Sequence, residues 1–442
     1  MITRWKKEAW TPIQREYRDS KARFVVCAAG RRSGKTELSK RKLVKSLRTP
    51  LTHPEWGYTD HRYGYLAPTR EQGKRIAWDD LLALCRGIIA PDGVRLSELR
   101  IKTIFGSELW ILGMDKPSRF EGLGWDGVVC DEFADFPESA FFRSVYPALT
   151  DRKGWAWLIG VPKISGKSSE VFRELFYNAK KTDKEWSDWA SFTWHSSEVL
   201  PEDEIHRARE FLPPKVFAEQ FEASWETAGG VIYDEFSIEK DGNIRECKYN
   251  PDLPITVASD FNISPMAWLL CHHYEDERRI EVFGEIFLRD VNTRNTLDYL
   301  WGLHKDHKAG WIFYGDATCR HRKTSASQSD YDLIRTDTRY SMQSPAVTRY
   351  ENMNPTPPDR FCSVNGMLHN AYGERRLHVD PKCKKLIKDF RNCTYVQGKR
   401  SRIEVQTPTT SHLTSALGYM IHYEYPIWKI YEKPVERGRF LL

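Results

Sequence analysis

Ala29-Gly30-Arg31-Arg32-Ser33-Gly34-Lys35-Thr36 lies between an apolar run, Phe24 to Cys27, and a segment with helical patterning, Thr36 to Leu47. The order is strand, loop, helix. That is the setting in which a phosphate-binding loop works: backbone N–H groups point at an anion, a lysine ammonium reaches the β and γ oxygens, and a threonine hydroxyl ligates Mg²⁺. Lys35 and Thr36 take the last two roles, with Gly30, Arg31, Ser33 and Gly34 supplying the cradle of an ATP site. Ala29 departs from GxxxxGK[ST] by placing a methyl group where the first glycine stands.

Downstream, Gly127-Val128-Val129-Cys130-Asp131-Glu132 is an apolar strand ending in two acids. Asp131 would hold the Mg²⁺ shell and Glu132 would polarise the attacking water as general base. An acidic pair at a strand end is often only a helix cap, but following a phosphate-binding loop it reads as the hydrolytic half of the same site. Arg31 and Arg32 could stabilise transition-state charge from within the loop, or pair with a surface carboxylate. Arg119, in Ser118-Arg119-Phe120-Glu121-Gly122, is a candidate finger for a neighbouring subunit. In Trp10-Thr11-Pro12-Ile13-Gln14 the Gln14 amide could read adenine, and an exposed turn glutamine is the equal alternative.

At 442 residues the chain exceeds one ordinary core, so two or three domains are expected. Its 40 % hydrophobic and 29 % charged residues exclude global disorder. The runs Arg23 to Ala28, Tyr63 to Ala67, Gly127 to Cys130 and Trp155 to Val161 alternate with amphipathic stretches, which predicts a buried parallel sheet. Ser224 to Asn250 loses periodicity and reads as a joint. Beyond it, Ile255 to Phe261, Met266 to Tyr274 and Ile280 to Leu288 form an antiparallel meander, followed by a helix near Thr296 to His304 and a run, Trp311 to Tyr314, that ends in Gly315 and Asp316. Arg320 to Ser329 and Asn352 to Asp359 read as surface loops. The net charge, 67 minus 61 or +6, permits a polyanionic partner without demanding one. Nine cysteines without a CxxC pair, and histidines without ligand spacing, point to reduced thiols and to no zinc site. Apolar runs are too short to span a bilayer, so a soluble cytosolic protein is expected.

Taken together these motifs resemble the large terminase subunit of tailed bacteriophages. Gln14, the deviant loop with paired arginines, Tyr65-Leu66-Ala67-Pro68-Thr69, the strand ending in Asp131-Glu132, and Gly160-Val161-Pro162-Lys163 follow the order of that family's ATPase domain. The resemblance covers nearly the whole chain. It implies a P-loop (ASCE-type) α/β ATPase domain over residues 1–225, a linker over 226–250, and an RNase H-like mixed-sheet nuclease domain over 251–442. Gly160 and Pro162 would couple hydrolysis to movement, with Val161 replacing the commoner hydroxyl residue. Asp260 and Asp316 would bind Mg²⁺ or Mn²⁺ for phosphodiester hydrolysis.

The third metal position departs from the family. In His412-Leu413-Thr414-Ser415-Ala416-Leu417-Gly418-Tyr419 the family's aspartate is replaced by Ser415, which predicts an attenuated nuclease unless another carboxylate, such as Glu285, completes the site. Arg320, His321, Arg322 and Lys323 follow the Asp316 strand and would bind DNA phosphates, or form a solvated loop. The resemblance further implies double-stranded DNA, a small terminase subunit and a portal protein as partners. It also implies a monomer in solution, a ring, expected pentameric, on the capsid, and a place in the host cytoplasm and transiently at the portal vertex. A helicase or repair translocase fused to a nuclease would carry a second motor domain, which the region after Ser224 does not show. A DNA-binding scaffold with dead sites is disfavoured by Lys35 and Glu132 and kept open for the nuclease half by Ser415.

Overall fold

The computed structural model describes residues 10–48, 60–163, 166–225, 231–262, 264–320, 328–340, 346–395 and 411–426. The chain divides into two compact units, residues 1–205 with 218–227, and residues 206–217 with 228–442.

The first unit is built on an eight-stranded sheet whose strands are β1 (Phe24–Ala28), β2 (Arg62–Ala67), β3 (Ile89–Arg95), β4 (Arg100–Thr103), β5 (Glu108–Gly113), β6 (Gly127–Asp131), β7 (Trp155–Gly160) and β8 (Trp189–Phe192). Their order is β3-β4-β5-β2-β6-β7-β1-β8. From β5 to β8 every pairing is parallel, and β3-β4-β5 is an antiparallel extension. Its helices are α1 (Pro12–Asp19), α2 (Lys35–Arg48), α3 (Arg70–Gly73), α4 (Asp79–Cys85) and α5 (Ser169–Asn178); a π-wound turn, Lys74–Trp78, joins α3 to α4. The division between units runs through α6 (Glu202–Phe211) and α7 (Pro214–Phe221).

The apolar runs are continuous because both sheet faces are covered. Val25, Cys27, Tyr65, Val129, Trp157 and Ile159 enter one core with Leu38, Leu43 and Leu81. Their neighbours Phe24, Val26, Leu66, Val128, Cys130 and Leu158 enter the opposite core with Phe133, Phe141 and Phe172. β7 lies between the phosphate-loop strand and the acidic strand, in register Ala28↔Gly160 and Asp131↔Ile159. The loop after β1, the acids of β6 and Gly160 therefore meet at the carboxyl ends of parallel strands, where open α/β sheets bind ligands.

The second unit holds a six-stranded mixed sheet of β9 (Ile255–Asp260), β10 (Met266–Tyr274), β11 (Arg279–Leu288), β12 (Trp311–Tyr314), β13 (Ala346–Arg349) and β14 (Leu377–Val379), ordered β13-β12-β9-β10-β11-β14. β9, β10 and β11 form the meander; β12 pairs parallel with β9, β13 with β12, and β14 with β11. One face packs on α10 (Pro357–Leu368), α11 (Lys384–Asn392) and α12 (His412–Glu424), through Phe361, Leu386, Phe390, Leu413 and Leu417. The other packs on α8 (Thr293–Leu303) and α9 (Asp330–Thr336) through Leu297, Leu300 and Ile334.

Two expectations are corrected. The described part of the 226–250 stretch is folded into the second unit rather than linking: Asn243 is fully buried and donates to the Leu368 and Leu377 carbonyls, and Ile232 N–H bonds the Cys393 carbonyl. Asn352 to Asp359 is only partly a loop, because Thr356 caps α10 and Pro357 and Pro358 occupy its first positions, where a missing N–H costs nothing. Among the described residues no helix is long and apolar enough to cross a membrane.

Candidate functional site

The loop after β1 is held from outside by groups far away in sequence. Ala29 is buried in the β1 core, lacks a positive φ, and donates its N–H to the Gly160 carbonyl at 3.2 Å, so the methyl at this position is accommodated. The left-handed turns fall instead on Arg32 (φ 58°) and Gly34 (φ 85°). Gly30 has no room for a side chain: a Cβ there would stand 2.4 Å from the Ser196 hydroxyl and 2.6 Å from the Phe221 carbonyl. The Gly30 N–H bonds the Trp194 carbonyl, the Arg31 N–H bonds the Gln220 carbonyl, and the Arg31 carbonyl accepts the Ser196 hydroxyl at 2.7 Å.

The Ser33 carbonyl accepts two donors, Gln14 Nε2 and Trp194 Nε1, each at 2.9 Å, which uses both lone pairs. In a trans peptide the N–H points opposite to its carbonyl. Pinning the Arg31 and Ser33 carbonyls therefore turns the Arg32 and Gly34 N–H groups the other way. These two and the Ser33 N–H have no protein acceptor among the described residues, which is the donor array an anion needs. Lys35, 5 % exposed, rests its ammonium on the Gly30 carbonyl at 3.2 Å. Gln14 is 2 % exposed and spends its amide oxygen on the Thr11 N–H, so it braces the loop, and this geometry gives its adenine-reading role no support.

Asp131, at the end of β6, is 2 % exposed. Its carboxylate accepts the Thr36 hydroxyl at 3.4 Å, the Glu132 N–H at 3.0 Å and the Tyr65 hydroxyl from β2. Thr36 and Asp131 thus offer the hard oxygen donors that Mg²⁺ takes, alongside phosphate oxygens. Burial, and then the neighbouring Glu132, push the Asp131 carboxyl above the ordinary carboxylate range. Burial also acts to raise Glu132, but Lys163, Lys35 and Arg31 outweigh it and hold this carboxyl low. Glu132 has a left-handed backbone (φ 53°, ψ 46°), and Lys163 Nζ lies 3.1 Å from its carboxylate and 2.5 Å from that of Asp135. Pro162 directly precedes this lysine, and Gly160 lies three residues before it.

In the second unit Asp260 closes β9, and the register Tyr314↔Ala258, carried two residues further, sets Asp316 beside it. Both are nearly buried, at 9 % and 8 % exposure. Asp260 pairs with His412 Nδ1 at 2.9 Å. Asp316 accepts the Thr318 N–H and hydroxyl and, at 3.1 Å, the Cys319 thiol. Ser415 is buried one turn beyond His412 on α12, which packs on β9. Glu285 is diverted: it accepts the Lys385 and Leu386 N–H groups and so caps α11. The alternative in which Glu285 completes a metal site is thereby corrected. No three His, Cys, Asp or Glu side chains gather to hold a metal among the described residues. The Asp260 and Asp316 carboxylates could still hold a divalent ion, with Ser415 adding at most a neutral oxygen.

The arginines separate. Arg31 donates to the Gln220 side chain at 3.1 Å, and Arg32 is exposed within the loop. Arg119 is exposed on a single 3-10 turn, and its side chain has no ion-pair partner among the described residues. Arg320 donates to Asn352 at 3.3 Å, whereas His321, Arg322 and Lys323 lie outside the described residues. Trp194, Ser196, Gln220 and Tyr65 are the site residues that motif reading missed. No local pattern marks the first three, and Tyr65 stood within a quoted run without a role.

No family model matches the chain. Among curated proteins it is 20 % identical over 430 residues to the large terminase subunit of Escherichia phage T5, covering 91 % of this chain and 87 % of that one. Among solved structures it is similar to the large terminase of a thermophilic bacteriophage, with TM-score 0.55 at 14 % identity over 94 % of this chain and 99 % of the other. A structure of that same phage protein in complex with ADP gives 0.54 at 14 % identity over 93 % and 99 %. The chain therefore has the two-domain fold of the large terminase subunits of tailed bacteriophages and resembles them over nearly its whole length.

Proposed function

We propose that the protein is a viral DNA-packaging motor in which ATP hydrolysis drives double-stranded DNA into a procapsid, with a metal-dependent endonuclease, attenuated at Ser415, that cuts concatemeric DNA. The observation that carries this reading is the backbone cradle around Lys35 with Thr36, Asp131 and Glu132 at the ends of neighbouring strands. The ADP complex of the thermophilic phage terminase supports a nucleotide there by likeness of fold.

The Arg32, Ser33 and Gly34 N–H groups take the phosphate oxygens and the Lys35 ammonium neutralises charge building on the β and γ oxygens. Mg²⁺, held by Thr36 and in the shell of Asp131, would offset charge on the same oxygens. Glu132 accepts a proton from the water that attacks the γ-phosphorus as the bond to the β-bridging oxygen breaks, leaving ADP and phosphate. Arg31 or Arg32 in the same loop, or Arg119 from a neighbouring subunit, serves the transferring group. The Ala29–Gly160 hydrogen bond supports a coupling role for Gly160 and Pro162, since it ties the cradle to the next strand. In this reading the chain is a monomer in solution and a ring, expected pentameric, at the portal vertex. It meets a small subunit and a portal protein in the host cytoplasm. Asp260 and Asp316 hold the nuclease's Mg²⁺ or Mn²⁺, and Arg320, Arg322 and Lys323 face DNA.

Steady-state ATPase assays test the motor. Glu132→Gln is expected to lower kcat by about 10² or more, the usual worth of a general base, while keeping nucleotide affinity. Lys35→Ala is expected to lose that affinity. Undiminished turnover by Glu132→Gln would overturn the assignment.

A further inference from the structure

The helix α11 presents two unlike faces. Leu386 and Phe390 enter the core, and Asp389, the helix's single acid, is fully buried against Lys385. The outer face carries Lys384, Lys388 and Arg391, all exposed and spaced i, i+4, i+7. None of the three has an ion-pair partner among the described residues. Lys382, also exposed, extends the stripe before the first turn.

This arrangement is costly for the helix alone. Like charges at i, i+4 repel, and Lys384 sits at the amino end, where the helix dipole disfavours a cation. The Glu285 carboxylate that caps this end serves the Lys385 and Leu386 N–H groups. A polyanion along the outside removes both penalties. The stripe is about 10 Å long, and a duplex carries one charge per roughly 1.7 Å of its axis.

The inner face shows where such a polyanion would lead. α11 packs on α12, whose first residue, His412, holds Asp260 at 2.9 Å. The cationic helix is thus a direct packing neighbour of the helix that anchors the nuclease carboxylate.

We propose that the outer face of α11 seats the phosphate backbone of a nucleic-acid duplex and delivers it to the Asp260 end of the sheet. The proposal deepens the nuclease reading and rests on it. Recognition is by charge, so it is independent of base sequence.

The test is binding of the full chain to a mixed-sequence DNA duplex, followed by fluorescence anisotropy over a series of salt concentrations. Replacing Lys384→Gln, Lys388→Gln and Arg391→Gln together is expected to reduce the slope of log K against log salt by about 2 to 3, near 0.9 for each lost contact. The charge-keeping set Lys384→Arg, Lys388→Arg and Arg391→Lys is expected to restore it. ATPase activity without DNA should be the same in all three proteins, which shows that they are folded. An unchanged slope in the glutamine variant overturns the proposal and assigns the face to solvent or to an acidic protein. If the unsubstituted chain shows no salt-dependent duplex binding, the packaging reading itself fails.

Discussion

Ser415 carries the sharpest chemical consequence of any single residue. It stands one turn after His412, beside a strand whose Asp260 is paired with that histidine. A carboxylate there would add a unit charge near a divalent ion, worth about 8 kcal/mol of Coulomb attraction at 4 Å for an effective dielectric of 20, before desolvation. Ser415→Asp is accordingly expected to raise Mg²⁺- or Mn²⁺-dependent cleavage of supercoiled plasmid at least about tenfold, allowing for desolvation of the new charge. Equal cleavage by the two proteins, followed on agarose gels over time, would remove Ser415 from the account. At this scale motif reading singled out Lys35, Thr36, Asp131 and Glu132 from their neighbours along the chain, and the fold sets Thr36 within hydrogen-bond reach of Asp131 at the end of β6. It left the roles of Gln14 and Glu285 open, because an amide or a carboxylate has several possible partners and only packing selects among them.

Among elements, the phosphate loop depends on a segment that no motif marks. β1 and α2 are legible from a buried run followed by helical spacing, yet the loop's carbonyls are aimed by Trp194, Ser196 and Gln14. Trp194 lies 161 residues from Ser33, and its indole N–H shares that carbonyl with Gln14. Trp194→Phe keeps most of the packing and deletes one donor, a loss of about 1 kcal/mol. Nucleotide affinity, measured by isothermal titration, should weaken about fivefold while the melting temperature moves little. Unaltered affinity would mean that the loop holds its shape without this brace. The meander of the second unit was legible in the same way as β1, from period and turns. The anchoring of Asn243 to the Leu368 and Leu377 carbonyls was not, since a polar residue in an aperiodic stretch looks like a linker until its partners are known.

For the molecule as a whole, stability should depend on pH through His378 on β14, which is 7 % exposed and sits opposite Glu281 in the sheet. Burial, and then Arg245, push its imidazole down to about 4. The unfolded chain protonates near pH 6.5, so above that pH His378 is neutral in both states and contributes no slope. As pH falls from about 6.5 to about 4 the unfolded state takes up a proton that the folded state refuses, and about 3 kcal/mol of stability is lost. His378→Gln should therefore show a shallower fall in melting temperature between pH 7 and pH 4 than the unsubstituted protein. Parallel curves would show that this histidine is not the source. Strand runs, helical spacing, the glycine-lined loop and the paired acids are relations between near neighbours, and the order of residues alone determined them. Tertiary structure decided which distant groups meet: Trp194 on Ser33, His412 on Asp260, Glu285 on the end of α11. The physical reason is that a hydrogen bond or an ion pair is specified by distance and direction in space, and folding sets these for residues far apart in the chain.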